Sequence, residues 1–123
     1  MTIEEAKALV RHHFDEFVNK RNHDIVDQTL SDDFYDHDGP GGKPTDREGD
    51  RRMMIAIHQQ VPDLQVTIED MIAERDKVVC RNTWRGRGTD GRKVEFKGIV
   101  IWRLAGGRIV ERWASVMPPS TQT

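Results

Sequence analysis

Two side chains in this sequence have the chemistry of proton transfer near neutral pH. His37 lies in the segment YDHDG, and an imidazole with an ordinary pKa of about 6.5 can exchange a proton near neutrality. Glu111 lies in the segment ERWASVM and supplies a carboxylate that can accept a proton. We therefore predict His37 and Glu111 as the catalytic residues. The alternative for His37 is a structural hydrogen bond to a loop carbonyl.

The acids on either side of His37 raise the question of a metal site. Asp36 and Asp38 flank the histidine, but adjacent residues on a strand point to opposite faces of a sheet. The three side chains therefore cannot easily share one ion, and no further cluster has the spacing of a metal site. We expect neither a metal nor a cofactor.

Arg81 is expected to pair with Glu111 on one face of the sheet. A buried arginine needs an anion beside it, and a carboxylate held by an arginine has a lowered pKa and makes a poor base. This pair would then be structural. The functional alternative is that Arg81 polarises a bound carbonyl or orients a water molecule.

Aromatic, apolar and hydroxyl side chains are predicted to form the wall of a small-molecule pocket. Flat ligands can stack on tryptophan, although such residues more often belong to the core. The alternative for His58 is a core histidine whose hydrogen bonds are made within the protein. The predicted wall consists of Phe14, Phe17, His58, Arg81, Thr83, Val100, Trp102, Trp113, Ser115 and Met117.

Hydrophobic periodicity defines the elements that must position these residues. Apolar residues at helical spacing predict helices over about 2–20, 23–30 and 45–61. Thr2 with Glu5, and Thr45 with Glu48, have the spacing of capping boxes. From residue 64 the period changes to two, which predicts antiparallel strands after the helices, the order of an α+β fold.

Two turn signals set the predicted register of these strands. If Gly106-Gly107 is a two-residue loop, Val100 pairs with Trp113; if Asp90-Gly91 is another, Arg81 pairs with Val100. One face then carries the predicted wall residues of the strands. A slip or bulge of one residue would exchange the two faces.

The opposite face is also apolar and needs a cover. Helices on one side of a sheet cannot cover both faces, so we predict a homodimer through this outer face. Its expected residues are Cys80, Asn82, Trp84, Ile99, Ile101, Val110, Ala114 and Val116.

Composition limits the class of protein. A chain of 123 residues with a net charge of −2 fits one domain and lacks the basic excess of nucleic-acid binders. No apolar run has the length of a membrane span, and the acidic start does not fit a signal peptide. The sequence therefore predicts a single cytoplasmic domain, 1–123, with no nucleic-acid or membrane partner and a flexible tail at 118–123.

Four stretches in order carry a resemblance to a known family: DDFYDHDGP, REGDRRMM, VPDLQVTIEDMIAERDKVVCRNTWRG and GIVIWRLAGGRIVERW. Over about residues 5–117 the chain resembles the SnoaL-like polyketide cyclases and ester cyclases of the nuclear transport factor 2-like superfamily. The resemblance implies a cone-shaped α+β fold in which three N-terminal helices pack on a curved antiparallel sheet and enclose a pocket.

The resemblance also implies a mechanism that this sequence does not fully match. Family cyclases use an aspartate in the last strand as general acid/base for an aldol ring closure. Met117 stands at that position, and a thioether cannot transfer a proton. Any catalysis must therefore use another group.

Three functions remain open from the sequence. The first is a cyclase-type or isomerase-type enzyme with relocated acid/base groups, which requires an unpaired, buried ionisable group. The second is a non-catalytic protein that binds an apolar or aromatic metabolite. The third and weakest resembles limonene-epoxide hydrolases, with Arg81 as the arginine but with Thr83 and Met117 where acids are needed.

Overall fold

The computed structural model describes residues 1–117 and 120–122, and it has the predicted α+β organisation. The expected flexible tail includes positions 118, 119 and 123, which lie outside the described residues. The helices are α1 (Ile3–Phe14), α2 (Val26–Thr29) and α3 (Arg47–Gln60). The strands are β1 (Leu30–Asp36), β2 (Gln65–Glu74), β3 (Lys77–Arg87), β4 (Lys93–Ala105), β5 (Arg108–Val116) and β6 (Ser120–Gln122).

The strands form one open sheet with the order β1-β5-β4-β3-β2, and β6 pairs with β4. β1 runs parallel to β5, whereas the other neighbours are antiparallel. The helices lie near opposite edges of the sheet: α1 contacts β2 and β3, whereas α3 contacts β1. The hydrophobic core fills the space between them.

The first helix begins at the predicted capping box. The Thr2 hydroxyl accepts a hydrogen bond from the Glu5 amide at 3.1 Å, and the Glu5 carboxylate accepts one from the Thr2 amide at 2.8 Å. After Phe14 the helix widens into a π-helical turn over Asp15–Asn19. The stripe of Val10, Phe14 and Phe17 is buried, and burial of each such side chain contributes about 1.5–3 kcal/mol.

The cap predicted for α3 is wrong by one residue. Asp46, not Thr45, occupies the N-cap position, and its carboxylate accepts a hydrogen bond from the Gly49 amide at 2.9 Å. Glu48 bonds to Arg51 instead of to the start of the helix. Aspartate and threonine both suit an N-cap, so neighbouring candidates cannot be ranked from residue type alone.

The turn between β4 and β5 is as predicted, but the register beyond it is not. Gly106 and Gly107 have φ of 59° and 77° and connect the pair Ala105 and Arg108. Beyond this pair, a β-bulge places Val110 as an extra residue on β5, so Glu111 pairs with Arg103 rather than with Trp102. The bulge exchanges the two faces of β5 from Glu111 onward.

The register between β3 and β4 also differs from the prediction by one residue. Asp90-Gly91 is part of a loop over residues 88–92, and the first pair is Arg87 with Lys93. Arg81 therefore pairs with Ile99 instead of Val100. The two register errors together separate the residues that were expected to share one pocket wall.

We call the helix-covered side of the sheet the inner face and the opposite side the outer face. The side chains of the inner face are the more buried. Successive side chains along each strand point alternately to the inner and the outer face, and paired residues share a face. The inner face carries Val78, Cys80, Asn82, Trp84, Val100, Trp102, Leu104, Ile109, Arg112 and Ala114. The outer face carries Val79, Arg81, Thr83, Ile99, Ile101, Arg103, Glu111, Trp113 and Ser115.

The predicted outer face is therefore corrected. Ile99 and Ile101 lie on it, whereas Cys80, Asn82, Trp84 and Ala114 lie on the inner face. Among the helices of the described residues, none is long and apolar enough to cross a bilayer.

Candidate functional site

The two predicted catalytic residues contact each other on the outer face. His37 Nε2 lies 2.6 Å from Glu111 Oε2, and the other Glu111 oxygen accepts a bond from Arg103 Nε at 2.7 Å. The bonds from His37 and from Arg103 lower the pKa of Glu111. The His37 ring stacks on Trp113, with centroids 4.8 Å apart. Glu111 is thus an ionised acceptor that orients His37, and their catalytic role stays a prediction.

Arg81 does not pair with Glu111, and the predicted ion pair is wrong. Arg81 Nε donates to Asp70 Oδ2 at 2.7 Å, and both side chains are more than half exposed. Thr83 donates to Glu69 at 2.9 Å. Because Arg81 and Thr83 lie on the outer face and Met117 is 60% exposed, the residues named for the epoxide-hydrolase-like alternative do not converge.

The aromatic residues predicted for the pocket divide between the two faces. Phe14, Phe17 and Trp102 are buried in the interior, where the rings of Phe14 and Trp102 meet edge to face at 5.4 Å. Val100 is buried beside them. Trp113 lies half-buried on the outer face, and Ser115 is exposed there, so these two cannot line an interior pocket with the others.

His58 is a satisfied core histidine. Its Nε2 bonds to the carbonyl of Val18 at 3.0 Å, and its Nδ1 lies 2.8 Å from His23 Nε2. Since Nε2 must donate to a carbonyl, Nδ1 accepts from His23. Burial lowers the pKa of His58, which favours the neutral ring in this arrangement.

A buried acidic cluster that the sequence analysis did not identify lies inside the fold. Asp36, at the end of β1, is fully buried, and both of its carboxylate oxygens accept from Arg112 Nη1, at 3.0 and 2.9 Å. The Asp38 amide donates to the same carboxylate at 2.9 Å. The Arg112 guanidinium also lies 5.6 Å from the centre of the Trp102 ring. Asp36 is therefore held as an ionised carboxylate.

Asp50 completes the cluster from the first turn of α3. It is 4% exposed, and its Oδ1 has no hydrogen-bond partner among residues 1–117 and 120–122. Burial, together with the hydrogen bond and charge of the Asp36 carboxyl, raises the pKa of Asp50 to about 8. Two carboxyl groups can bond only if one holds a proton. Because Arg112 neutralises Asp36, the proton belongs to Asp50.

His13 borders this cluster as a neutral ring. Its Nδ1 lies 2.7 Å from the Thr29 hydroxyl, which itself donates to the carbonyl of Ile25. Nδ1 must therefore carry the proton. Burial and the charge of Arg112 lower the pKa of His13 to about 3, so this histidine does not compete for protons near neutral pH.

Further polar atoms of the inner face are buried without partners. Neither the nitrogen nor the oxygen of the Asn82 carboxamide, nor the Trp102 indole nitrogen, has a bond within the described part of the chain. Each unmade bond of a buried polar group costs about 1–3 kcal/mol. An interior of this kind can accept hydrogen bonds from a ligand and donate bonds to it.

Two open cavities lie at the surface, away from the acidic cluster. One of about 460 Å³ is lined by residues around the β3–β4 loop, including Asp63, Arg85 and Lys93. Another of about 480 Å³ lies between α1 and β2 and includes Phe14 of the predicted wall. The buried cluster itself is enclosed by side chains, so a ligand can reach it only after those side chains move.

Comparisons with known proteins agree with the fold. The family model of SnoaL-like polyketide cyclases matches residues 8–116. A proposed polyketide cyclase from Bacillus cereus is similar in structure with a TM-score of 0.81 and 27% identity, over 91% of this chain and 74% of that one. Among curated proteins, none matches the chain in sequence.

Two Streptomyces structures are similar as well. IdmH, a proposed polyketide cyclase from Streptomyces antibioticus, has a TM-score of 0.80 and 25% identity, over 90% of this chain and 91% of that one. AclR, a proposed hydroxylase from Streptomyces galilaeus, has a TM-score of 0.84 at 20% identity, over 94% and 77% of the two chains. The latter similarity concerns the fold alone.

Proposed function

The chain belongs to the SnoaL-like polyketide cyclase family, and we propose that it is an acid/base enzyme for a small carbonyl compound in which Asp50 is the proton donor. The observation that supports this proposal is the free oxygen of a buried carboxyl whose pKa is raised to about 8. The enzyme hypothesis requires such an unpaired, buried ionisable group. Asp50 would thus replace the acid that Met117 cannot supply.

The proposed step is enolisation of a ketone bound beside Asp50. The ketone oxygen replaces Asp36 as the acceptor of the Asp50 carboxyl proton and takes that proton. A water molecule takes the proton from the neighbouring carbon, so a carbon–carbon double bond forms and the carbon–oxygen double bond becomes the single bond of the enol. An acid whose pKa lies near the working pH is efficient in such a transfer. Arg112, close by and positively charged, offsets the negative charge that remains on Asp50.

Ring closure can follow from the same group. When the enol carbon attacks a second carbonyl group of the ligand, that carbonyl oxygen needs a proton and the enol hydroxyl releases one. The enol hydroxyl proton returns to the Asp50 carboxylate, and the second carbonyl oxygen takes the proton that the water molecule has held since enolisation, so the protons balance over the cycle. Aromatic walls around Phe14 and Trp102 suit an apolar or aromatic ligand.

Solvent exchange of an aromatic ketone tests this function without the natural substrate. The loss of α-protons from 1-tetralone in deuterium oxide is followed by proton NMR. We expect wild-type protein to accelerate exchange at neutral pH and D50N to lose most of the acceleration, by about 100-fold. D70N, which changes an exposed aspartate on the outer face, is the matched control. Equal rates for wild type and D50N would refute the role of Asp50.

We also propose that two copies pair through the outer face. Its centre is apolar, with Ile99 45% and Ile72 67% exposed, and Ile72, Val79 and Ile101 form one row across β2, β3 and β4. Charges of both signs surround this centre as pairs, Arg81 with Asp70 and Arg85 with Glu95. A surface with both signs is complementary to a second copy of itself, whereas a partner of one charge would meet repulsion.

A further inference from the structure

The carboxamide of Asn82 is the largest unexplained polar group of the interior. Asn82 is 1% exposed on the inner face of β3. Both its nitrogen and its oxygen lack partners among the described residues. A carboxamide can donate two hydrogen bonds and accept two, so all of its capacity is unused in this state of the protein.

Three other buried polar side chains of the interior have partners. The His13 ring bonds to Thr29, Asp36 bonds to Arg112, and His58 bonds to the Val18 carbonyl. Buried polar groups in folded proteins are nearly always paired. A carboxamide that only filled space would be less favourable than an apolar side chain of the same size.

The part of the inner face around Asn82 is only partly closed. Gly98 lies directly opposite on β4 and contributes no side chain, and Phe96 lies beside it. Gly98, Phe96 and, on β5, Ala114 are all half-buried. A ligand that entered the interior from this part of the sheet would meet Asn82 on β3 before it reached Asp36 on β1.

We propose that Asn82 is a specificity residue that binds an uncharged hydrogen-bonding group, with a donor and an acceptor on neighbouring atoms, at the end of the ligand away from the reacting carbonyl. A carboxamide or a carboxylic acid in its neutral form has this pattern. The proposal rests on the proposed function in that it takes Asp50 as the opposite end of the site. β3 and β1 are separated by β5 and β4, about 14 Å across the sheet, so the ligand is at least bicyclic.

The ligand-free protein gives the first test. In N82L an apolar side chain of similar size replaces the unpaired carboxamide, so we expect a melting temperature equal to that of wild type or higher. Asn19 is the matched control, because its carboxamide bonds to both the amide and the carbonyl of Val66, and N19L should melt earlier. If the melting temperature of N82L falls as much as that of N19L, Asn82 has a structural role and the proposal is overturned.

Binding of two naphthalene probes gives the second test. 2-Naphthol carries the hydroxyl that pairs with Asp50, and 6-hydroxy-2-naphthamide adds a carboxamide at the other end. We expect wild type to bind the naphthamide about tenfold more tightly, as one added buried hydrogen bond predicts, and N82L to bind both equally. An unchanged preference in N82L, or no preference in wild type, would overturn the proposal.

The exchange of 1-tetralone protons and these titrations together separate this inference from the proposed function. If D50N accelerates exchange as wild type does while N82L loses the preference, Asn82 is a ligand-binding residue and Asp50 is not the acid. If D50N loses the acceleration while N82L keeps the preference of wild type, Asp50 is the acid and the Asn82 proposal fails.

Discussion

At the scale of single residues, the chemistry of this protein depends on how burial sets the charge of Asp50. A carboxyl group without water around it holds its proton to a higher pH, and the neighbouring carboxylate of Asp36 adds to this effect. Arg112 bonds to Asp36, so one acid of the pair is fixed as ionised. The other can act as a neutral donor near pH 7.

The raised pKa of Asp50 makes stability depend on pH. The unfolded chain loses this proton near the ordinary pKa of 3.8, while the folded protein keeps it to about pH 8. The stabilisation is therefore complete below about pH 4 and is lost as the pH rises towards 8. We expect D50N to remove this dependence and to be the more stable protein at pH 8.

Chemical denaturation between pH 4 and 8.5 measures the difference in unfolding free energy between wild type and D50N. The difference isolates Asp50, because His13, His23 and His58 titrate in both proteins. A constant difference over this range would show that Asp50 has an ordinary pKa.

The residue types pointed only partly to this site. Asp50, Met54 and His58 are spaced by four, so the acid lies on the stripe of α3 that faces the core. An acid at a core-facing position of a helix is the sequence pattern that could have identified Asp50. His37 and Glu111 were recognised as chemical groups, but their mutual bond depends on the bulge at Val110 and could not be read from the sequence.

At the scale of elements, one inserted residue decides which side chains face the interior. The pattern of turns and alternating residues predicted β2 to β5 and the Gly106-Gly107 turn correctly, whereas β6 lies at positions 120–122, where a flexible tail was expected. The bulge cannot be recognised in the sequence, because both faces of β5 carry large side chains and either alternation fits the pattern of a strand. Arg112 therefore points inward and Glu111 outward, contrary to the predicted register.

Arg112 also joins two elements, β5 and β1, through its bonds to Asp36. In R112M the buried carboxylate of Asp36 loses its cation, and we expect a loss of about 3–5 kcal/mol in the free energy of unfolding. R81M removes the exposed Arg81–Asp70 pair and should cost less than about 1 kcal/mol. Urea denaturation compares the two variants, and equal small losses would mean that Asp36 is not held by Arg112.

At the scale of the whole molecule, the order of helices and strands predicted the α+β class, and the resemblance to the family implied how the helices pack on the sheet. Both the family model and the similar structures agree with this fold. The location of the apolar outer face was predicted only in part, since Ile99 and Ile101 lie there while Ala114 and Asn82 do not. Face assignment depends on register, and register was the weakest part of the prediction.

The proposed homodimer is tested by one charge on the outer face. I101E places a carboxylate at the apolar centre, so we expect dimers to become monomers in sedimentation or light-scattering measurements. I3E is the matched control, because Ile3 is a 40% exposed apolar residue of α1 far from the proposed interface. If I101E and I3E both have the mass of wild type, the outer face is not the interface.

The exchange of 1-tetralone protons as a function of pH tests the central claim most directly, after the rate without protein is subtracted. With Asp50 as the acid, the wild-type acceleration should persist through neutral pH and fall above about pH 8, where the carboxyl ionises. D50N should show little acceleration at any pH. An acceleration that is equal in D50N, or that falls already between pH 4 and 5, would contradict the assignment of Asp50 as a buried proton donor.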